Sequence, residues 1–289
     1  MAAIATVPES SRSVILGQTL RRREFTGCVV SDLRPTVPEH EVRPHQHADM
    51  HLLLLLNGAY VSSARGMPEV CVEPVVLLNP PGTEHHDRFR SRDGRFLTLS
   101  MSADTYASRC AGLKLSDQAL RLSGAAVTTA LGLLTELARW DDASPLAVEQ
   151  TVARLFADAA ALPAHAVQRS RGLQRAMERL DACRGEPPTL AELALIADLH
   201  PVYLARAFRH SVGLAPSDYL RRRRVHRALG LISRGDALGD VAHRVGFTDQ
   251  SHLHRCFVRE FGITPGALKR LALARGEVAR VQESLSPRR

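Results

Sequence analysis

The chain repeats one short module near its C-terminal end, and this repeat limits the fold of that region more than any other feature. From Leu190 the sequence places Leu193, Ala194, Leu204, Arg206, Phe208, Gly213 and Pro216; from Leu238 it places Val241, Ala242, Leu253, Arg255, Phe257, Gly262 and Pro265. The offset is 48 residues up to the alanine and 49 after it, so the second copy carries one extra residue in its turn. Apolar positions three and four apart, closed by a glycine that can take a left-handed cap, describe two helices around a tight turn. Two such helix-turn-helix units in tandem point to duplex DNA.

Each copy has a physical reading. Thr189 and Glu192 have the spacing of a capping box, so a helix is expected from Leu190. The turn falls near Asp198 to His200, and Pro201 suits the first turn of a second helix running to about Val212. Leu204, Ala207 and Phe208 form its buried face, leaving Val202, Tyr203, Ala205, Arg206, Arg209 and His210 elsewhere. In the second copy Gly246 and Phe247 make the turn, Thr248 is the expected N-cap, and Leu253, Cys256 and Phe257 are buried. Gln250, Ser251, His252, Arg255 and Arg259 remain available there. Arg can bond guanine, and Gln adenine, with two hydrogen bonds each, from the N-terminal half of a helix lying in the major groove. An ordinary solvated helix face would carry the same residue types singly; the tandem arrangement is what favours DNA.

The stretch from Arg206 through Phe208, Gly213 and Pro216 to Tyr219 and Leu220, followed by Val245 to Ser251, Phe257 and Phe261 to Pro265, closely resembles the AraC/XylS family of bacterial transcription regulators. The resemblance covers about residues 171 to 272. It implies two recognition helices joined by a long helix, here about Pro216 to Ser233, that enter successive major grooves. Carried over by position, it assigns base-facing roles to Val202, Ala205 and Arg206, and to Gln250, Ser251, His252 and Arg255. His200 and Ala215 stand where the family usually has a capping residue, so those helix starts are expected to be weaker.

Charge supports a polyanionic partner. From Arg171 to the end there are 21 Lys+Arg against 12 Asp+Glu, whereas the rest of the chain has 17 against 18. The densest basic run is Arg221 to Arg224 with Arg227, and Arg222 is its expected phosphate contact. A solvated helix face or a nonspecific polyanion patch would show the same run.

The N-terminal half has short apolar runs broken by Pro, Gly and Asn, the pattern of several short strands in an antiparallel barrel or double sheet. His45, His47, His51 and Gly58, followed by Pro80, Gly82 and His85, resemble the two motifs of the cupin barrel, with His51 where metal-binding cupins have Glu. That resemblance implies a divalent metal on His45, His47, His51 and His85, since imidazole nitrogen is a good donor to zinc, iron, nickel and copper. The competing reading has the same histidines lining an organic-effector pocket or simply packing. His86, adjacent to His85 on a strand, would point the opposite way.

Two helices are expected over about 125 to 162, the first with Val127, Leu131, Leu134 and Ala138 in register, the second with Ser144 as N-cap and Pro145 in its first turn. Their apolar stripes would meet the barrel or a second chain, and the resemblance implies a homodimer. The expected organisation is α+β and multidomain: an N-terminal arm (1–23), a cupin-like sensor barrel (24–124), a helical dimerisation segment (125–162), a linker (163–170), an all-α DNA-binding domain (171–275) with motifs at about 190–213 and 238–262, and a basic tail (276–289). With 289 residues and 45% hydrophobic content there is room for two cores. Leu52 to Leu56 is too short to span a membrane, no signal-peptide pattern opens the chain, and the five cysteines are scattered. The expectation is a cytoplasmic transcription regulator, an activator contacting RNA polymerase, with double-stranded DNA and a small-molecule or metal effector as partners. A metal-dependent cupin enzyme and an architectural DNA protein are the competing classes; no catalytic residues are assigned.

Overall fold

The computed structural model describes residues 17–36, 42, 44–90, 93–122, 124–161 and 170–273. The arm up to residue 16, linker residues 163–169 and the basic tail from 276 lie outside the described residues. The N-terminal part contains β1 (Gln18–Phe25), β2 (Cys28–Arg34), β3 (His45–Gln46), β4 (Met50–Asn57), β5 (Tyr60–Val61), β6 (Val75–Asn79), β7 (Glu84–His85), β8 (Arg88–Phe89), β9 (Arg95–Met101), helix α1 (Ala103–Arg109) and β10 (Leu120–Arg121). Six strands form one antiparallel sheet in the order β1-β2-β9-β4-β6-β10, while β3 pairs with β7 and β5 with β8.

This arrangement corrects the expected barrel. Among the described residues no pairing joins the edge strands β1 and β10, so the sheet is open, with two small hairpin sheets beside it. Runs of short strands specify strands but not closure, which depends on partner order. The expected arm also ends early, because residues from Gln18 onward already pair with β2.

Period-two alternation gives the central strands two different faces. Leu52, Leu54 and Leu56 of β4, Val76 and Leu78 of β6, and Leu97 and Leu99 of β9 belong to a core shared with helices. Leu55, Val75, Leu77 and Phe96 belong to a second core on the opposite face, with Tyr60 and Phe89. The apolar run Leu52 to Leu56 is therefore a strand covered on both sides.

The helices are α2 (Gly124–Ala138), α3 (Ser144–Ala160), α4 (Arg171–Ala182), α5 (Leu190–Ala197), α6 (Pro201–Val212), α7 (Pro216–Arg234), α8 (Leu238–Arg244), α9 (Gln250–Phe261) and α10 (Pro265–Leu273). Val127, Leu131 and Leu134 of α2 are buried, and α2 lies on the sheet and against α3. The apolar stripe is thus consumed inside the chain. Ser144 is the first residue of α3 rather than its N-cap; its hydroxyl donates to Glu136 Oε2 at 2.9 Å and its backbone N–H to Asp141 Oδ1 at 3.1 Å. No described helix is long and apolar enough to cross a membrane.

Helix α7 packs on β4, and Val225, Ala228, Leu229 and Ile232 join the core that includes the sheet, α2 and the second helix-turn-helix. A continuous core of this kind should melt as one unit. Leu229→Ala is therefore expected to cost about 2 to 5 kcal/mol and to lower a single thermal transition seen by both sheet- and helix-sensitive circular dichroism. A second transition left unshifted would show that sheet and helices unfold separately.

Candidate nucleic-acid interface and histidine pocket

The first motif is built as its sequence requires. Thr189 accepts from the Glu192 N–H while Glu192 accepts from the Thr189 N–H, a complete capping box at the start of α5. Asp198 takes the left-handed conformation in the turn, at φ 56°, and His200 Nδ1 accepts from the Val202 N–H at 3.4 Å. His200 thus supplies a cap, whereas Ala215 before α7 makes none. In the second motif the cap is Asp249, not Thr248: Asp249 Oδ1 accepts from the His252 N–H at 2.7 Å.

Leu204 and Phe208 of α6, and Leu253, Cys256 and Phe257 of α9, face inward. Val202, Tyr203, Arg206 and Arg209 are exposed on α6, with Ala205 half-buried. Gln250, Ser251, Arg255 and Arg259 are exposed on α9, and the half-buried His252 packs edge-on to Phe247 at 5.0 Å. Val202, Ala205, Arg206 and Arg209 share a cleft of about 740 Å³ with Phe247 and His252, so the two motifs border one groove. Among the described residues, the side chains of Arg206, Arg209, Arg255 and Arg259 make no hydrogen bond or ion pair, leaving four guanidinium groups for an external acceptor.

The basic run on α7 behaves differently, because its guanidinium groups have partners within the chain. Arg222 Nε donates to Glu260 Oε1 at 2.7 Å, and His226 Nε2 lies 3.1 Å from the same oxygen, bracing α9 against α7. Arg223 bonds Asp181 Oδ1 at 2.7 Å and Glu73 Oε2 at 2.5 Å. Arg227 donates to Glu73 Oε1 at 3.0 Å and to the Cys183 and Asp181 carbonyls. Arg221 pairs with Asp218, and Arg224 donates to the Gly185 carbonyl. The reason is position: α7 lies between both motifs and the sheet, so its cations meet carboxylates and carbonyls of neighbouring elements.

The second candidate site lies on the far face of the sheet. Pairing of β3 with β7 sets His45 opposite His85, and the turn at Gly82, with φ +77° and its N–H donating to the His47 carbonyl at 2.8 Å, closes the strands on each other. Ring centroids lie 4.5 Å apart for His45 and His85, 4.8 Å for His45 and His47, and 5.0 Å for His47 and His85. Among the described residues, His45, His47 and His85 each bring one ring nitrogen within 4.8 Å of the others. His51 is not in that set. Its ring lies 4.3 Å from that of His47, but its Nδ1 pairs with the Ser100 hydroxyl at 2.8 Å. His86 is turned elsewhere, with Nε2 on the Val42 carbonyl at 2.8 Å and Nδ1 near Arg88.

Burial lowers the His47 pKa to about 4 and the His51 pKa to about 3, reinforced by the neighbouring histidines. Both are neutral at pH 7 and carry a lone pair. Asp87, which sequence reasoning did not single out, places Oδ2 3.3 Å from His85 Nδ1. Little in the sequence pointed to it, since Asp87 lies in the short connection between β7 and β8, where strand alternation does not apply. Leu53, Tyr60, Asn79, Phe96 and Thr98 also line the pocket.

A helix-turn-helix domain family matches residues 193–271. The chain is 36% identical over 83 residues to the RCS-specific HTH-type transcriptional activator RclR of Escherichia coli, which covers 28% of this chain and 29% of that protein. It is 38% identical over 63 residues to the E. coli HTH-type transcriptional activator RhaS, covering 22% of this chain and 23% of that protein. The matched stretch thus spans about a quarter of the length of these curated relatives. Among solved structures, a transcriptional regulator from Chromobacterium violaceum with an AraC-type DNA-binding domain is 24% identical, covers 36% of this chain and 95% of its own, and gives a TM-score of 0.34. The DNA-binding domain of AdpA, solved with a target DNA, is 30% identical, covers 34% and 86%, and gives 0.29.

The Asp249 cap is open to a direct check. Asp249→Ala is expected to lower the urea midpoint of the chain, whereas Thr248→Ala leaves it in place, because only Asp249 satisfies a free amide at the start of α9. Equal shifts for both substitutions would contradict this assignment.

Proposed function

We propose that this chain, which matches a helix-turn-helix domain family over residues 193–271, is a sequence-specific DNA-binding transcription regulator of the AraC family whose N-terminal pocket takes an effector. The observation that carries the reading is the contrast between two sets of arginines. Arg206, Arg209, Arg255 and Arg259 stand exposed on the two reading helices, while Arg222, Arg223 and Arg227 of the connecting helix are held by acidic partners within the chain. Guanidinium groups on a helix that can lie in a major groove suit guanine O6 and N7, and Gln250 suits adenine. Tyr203 and Arg209 are assigned to backbone or base contacts beside Val202, Ala205 and Arg206, and Arg259 to a phosphate beside Gln250, Ser251, His252 and Arg255.

Effector binding is proposed to act by population shift, which requires that the effector prefer one arrangement of pocket and DNA module over another. Strand β4 offers the route: His51 and Leu53 line the pocket, while Leu52, Leu54 and Leu56 on its other face join the core that contains α7. A homodimer, if formed, has to use a surface other than the apolar stripe of α2, which is buried within the chain.

Selection of binding sites from a random DNA library tests the reading. Wild-type protein is expected to enrich a defined site, and Arg255→Ala to lose preference at one base position, about 1 to 3 kcal/mol of discrimination. An unchanged profile for the variant would remove Arg255 from the base-reading set, and no enrichment by wild type would overturn the proposal. In a salt titration, Arg209→Ala is expected to flatten the slope by about one unit, while Arg222→Ala leaves it unchanged because its guanidinium is engaged with Glu260.

A further inference from the structure

The N-terminal halves of the two reading helices present different chemistry. On α9 the exposed residues there, Gln250, Ser251, His254 and Arg255, are all polar. On α6 they begin with Val202, 51% exposed, and Tyr203, 63% exposed, and Arg206 is the first exposed cation. Val202, Ala205, Arg206 and Arg209 recur at helical spacing, so they share one face, and all four line the cleft between the motifs. Single exposed apolar side chains are ordinary. Here they open a helix face whose next turns hold two guanidinium groups without a partner among the described residues, so apolar and cationic groups meet the same ligand.

Among the groups that base edges expose in the major groove, one is apolar: the thymine C5-methyl. Valine neither donates nor accepts a hydrogen bond. Against an adenine, guanine or cytosine edge it would take polar atoms out of water without replacing their partners; against thymine it brings methyl onto methyl. We propose that α6 recognises thymine by this methyl group, with Val202 as the specificity-determining contact and Ala205 beside it, so that the half of the DNA site facing α6 carries thymine at one or two fixed positions. This rests on the DNA-reading proposal and names the base that its first helix takes.

The local structure holds Val202 for that contact. Pro201 occupies the first turn of α6 and His200 Nδ1 accepts from the Val202 N–H, which fixes the backbone at the end of a reading helix that enters the groove. A β-branched side chain keeps essentially one rotamer in a helix, so its two methyl groups are presented with little freedom left to lose. Leu204 and Phe208, on the opposite side, tie α6 into the core of the first motif. Tyr203 lies edge-on to His200, with ring centroids 6.1 Å apart, and flanks the reading face. Arg206, one turn further on, is left for a guanine or phosphate next to the thymine.

The test uses the full chain and the duplex enriched from the random library. Each thymine is replaced in turn by deoxyuridine, which removes the C5-methyl and keeps every hydrogen-bonding group, and the dissociation constant is measured by fluorescence anisotropy at fixed salt. Since burying one methyl changes affinity about fourfold, wild type should bind about three- to tenfold more weakly when uracil stands at one or two particular positions. In Val202→Ala that penalty should fall below about twofold. Arg255→Ala, on the other reading helix, should keep it in full. Val202 is exposed and alanine is the better helix former, so the variant should fold, which a thermal melt checks. Its salt slope should match wild type, because no phosphate contact is removed, whereas a displaced helix would change it.

A uracil penalty of unchanged size in Val202→Ala would overturn the assignment, and so would an equal fall in Arg255→Ala. Wild-type protein that binds every uracil-substituted duplex as tightly as the thymine duplex would overturn methyl recognition while leaving the DNA-reading proposal in place, since a site was enriched. No enriched duplex at all would overturn that proposal and this inference with it.

Discussion

The packing of α7 against the sheet is the constraint on which the rest of the molecule depends. From Val225 to Gly230 the helix is buried continuously, and a Cβ at Gly230 would lie 3.5 Å from the Leu56 carbonyl, so helix and strand backbones approach closely. Burial this complete includes a charge. Arg227 retains 8% exposure and is held by Glu73 from the sheet region and by the Asp181 and Cys183 carbonyls from the end of α4. Desolvating a guanidinium costs several kcal/mol unless its donors are satisfied. The pair therefore says less about net stability than about register, because α7, the segment near Glu73 and the end of α4 must all be in place before Arg227 can be buried. A similar arrangement joins the far end of the helical part to the sheet: Arg95 grips the fully buried Asp32 at 2.6 and 2.9 Å, and Arg21 and Arg95 also donate to the Leu271 carbonyl in the last turn of α10.

What was legible in the sequence was what is encoded locally. The Thr189 to Glu192 box, the left-handed Gly213 and Gly262 caps and the helical spacing of Leu204 with Phe208 each follow from residues within a turn or two. The second N-cap was misplaced by one residue because Thr248 and Asp249 are both good caps and only backbone direction chooses between them. The function of the α7 arginines was hidden for a different reason. Arg227 meets Glu73 across 154 residues and Arg222 meets Glu260 across 38, and no periodicity reports such pairings. A basic run looks the same in sequence whether it faces phosphate or a carboxylate of its own chain.

The histidines illustrate the same boundary. That His45 and His85 converge depends on β3 pairing with β7, a long-range event, yet the removal of His51 from the triplet rests on Ser100, which faces it across β4 and β9. Strand closure was equally invisible: alternation in β4, β6 and β9 predicts two-faced strands, but whether β1 and β10 meet is decided by strand order.

The two helix-turn-helix units are attached to the sheet by different physics. Val241, Ala242, Leu253 and Phe257 of the second unit belong to the same apolar cluster as Leu52, Leu54 and Leu229. The first unit has a core of its own, in which Leu173, Leu180, Leu193, Leu204 and Phe208 close around Leu220. Its link to the sheet is polar and runs from Glu73 through Arg223 and the buried Arg227 to the end of α4 at Asp181 and Cys183. An apolar core has no soft direction, because separating it exposes surface in proportion to area. A buried guanidinium network is directional, holding one register and becoming costly when a partner is withdrawn. A displacement of the sheet should therefore carry the second unit with it through shared apolar area, and reach the first through the few polar contacts that Arg223 and Arg227 make at the end of α4.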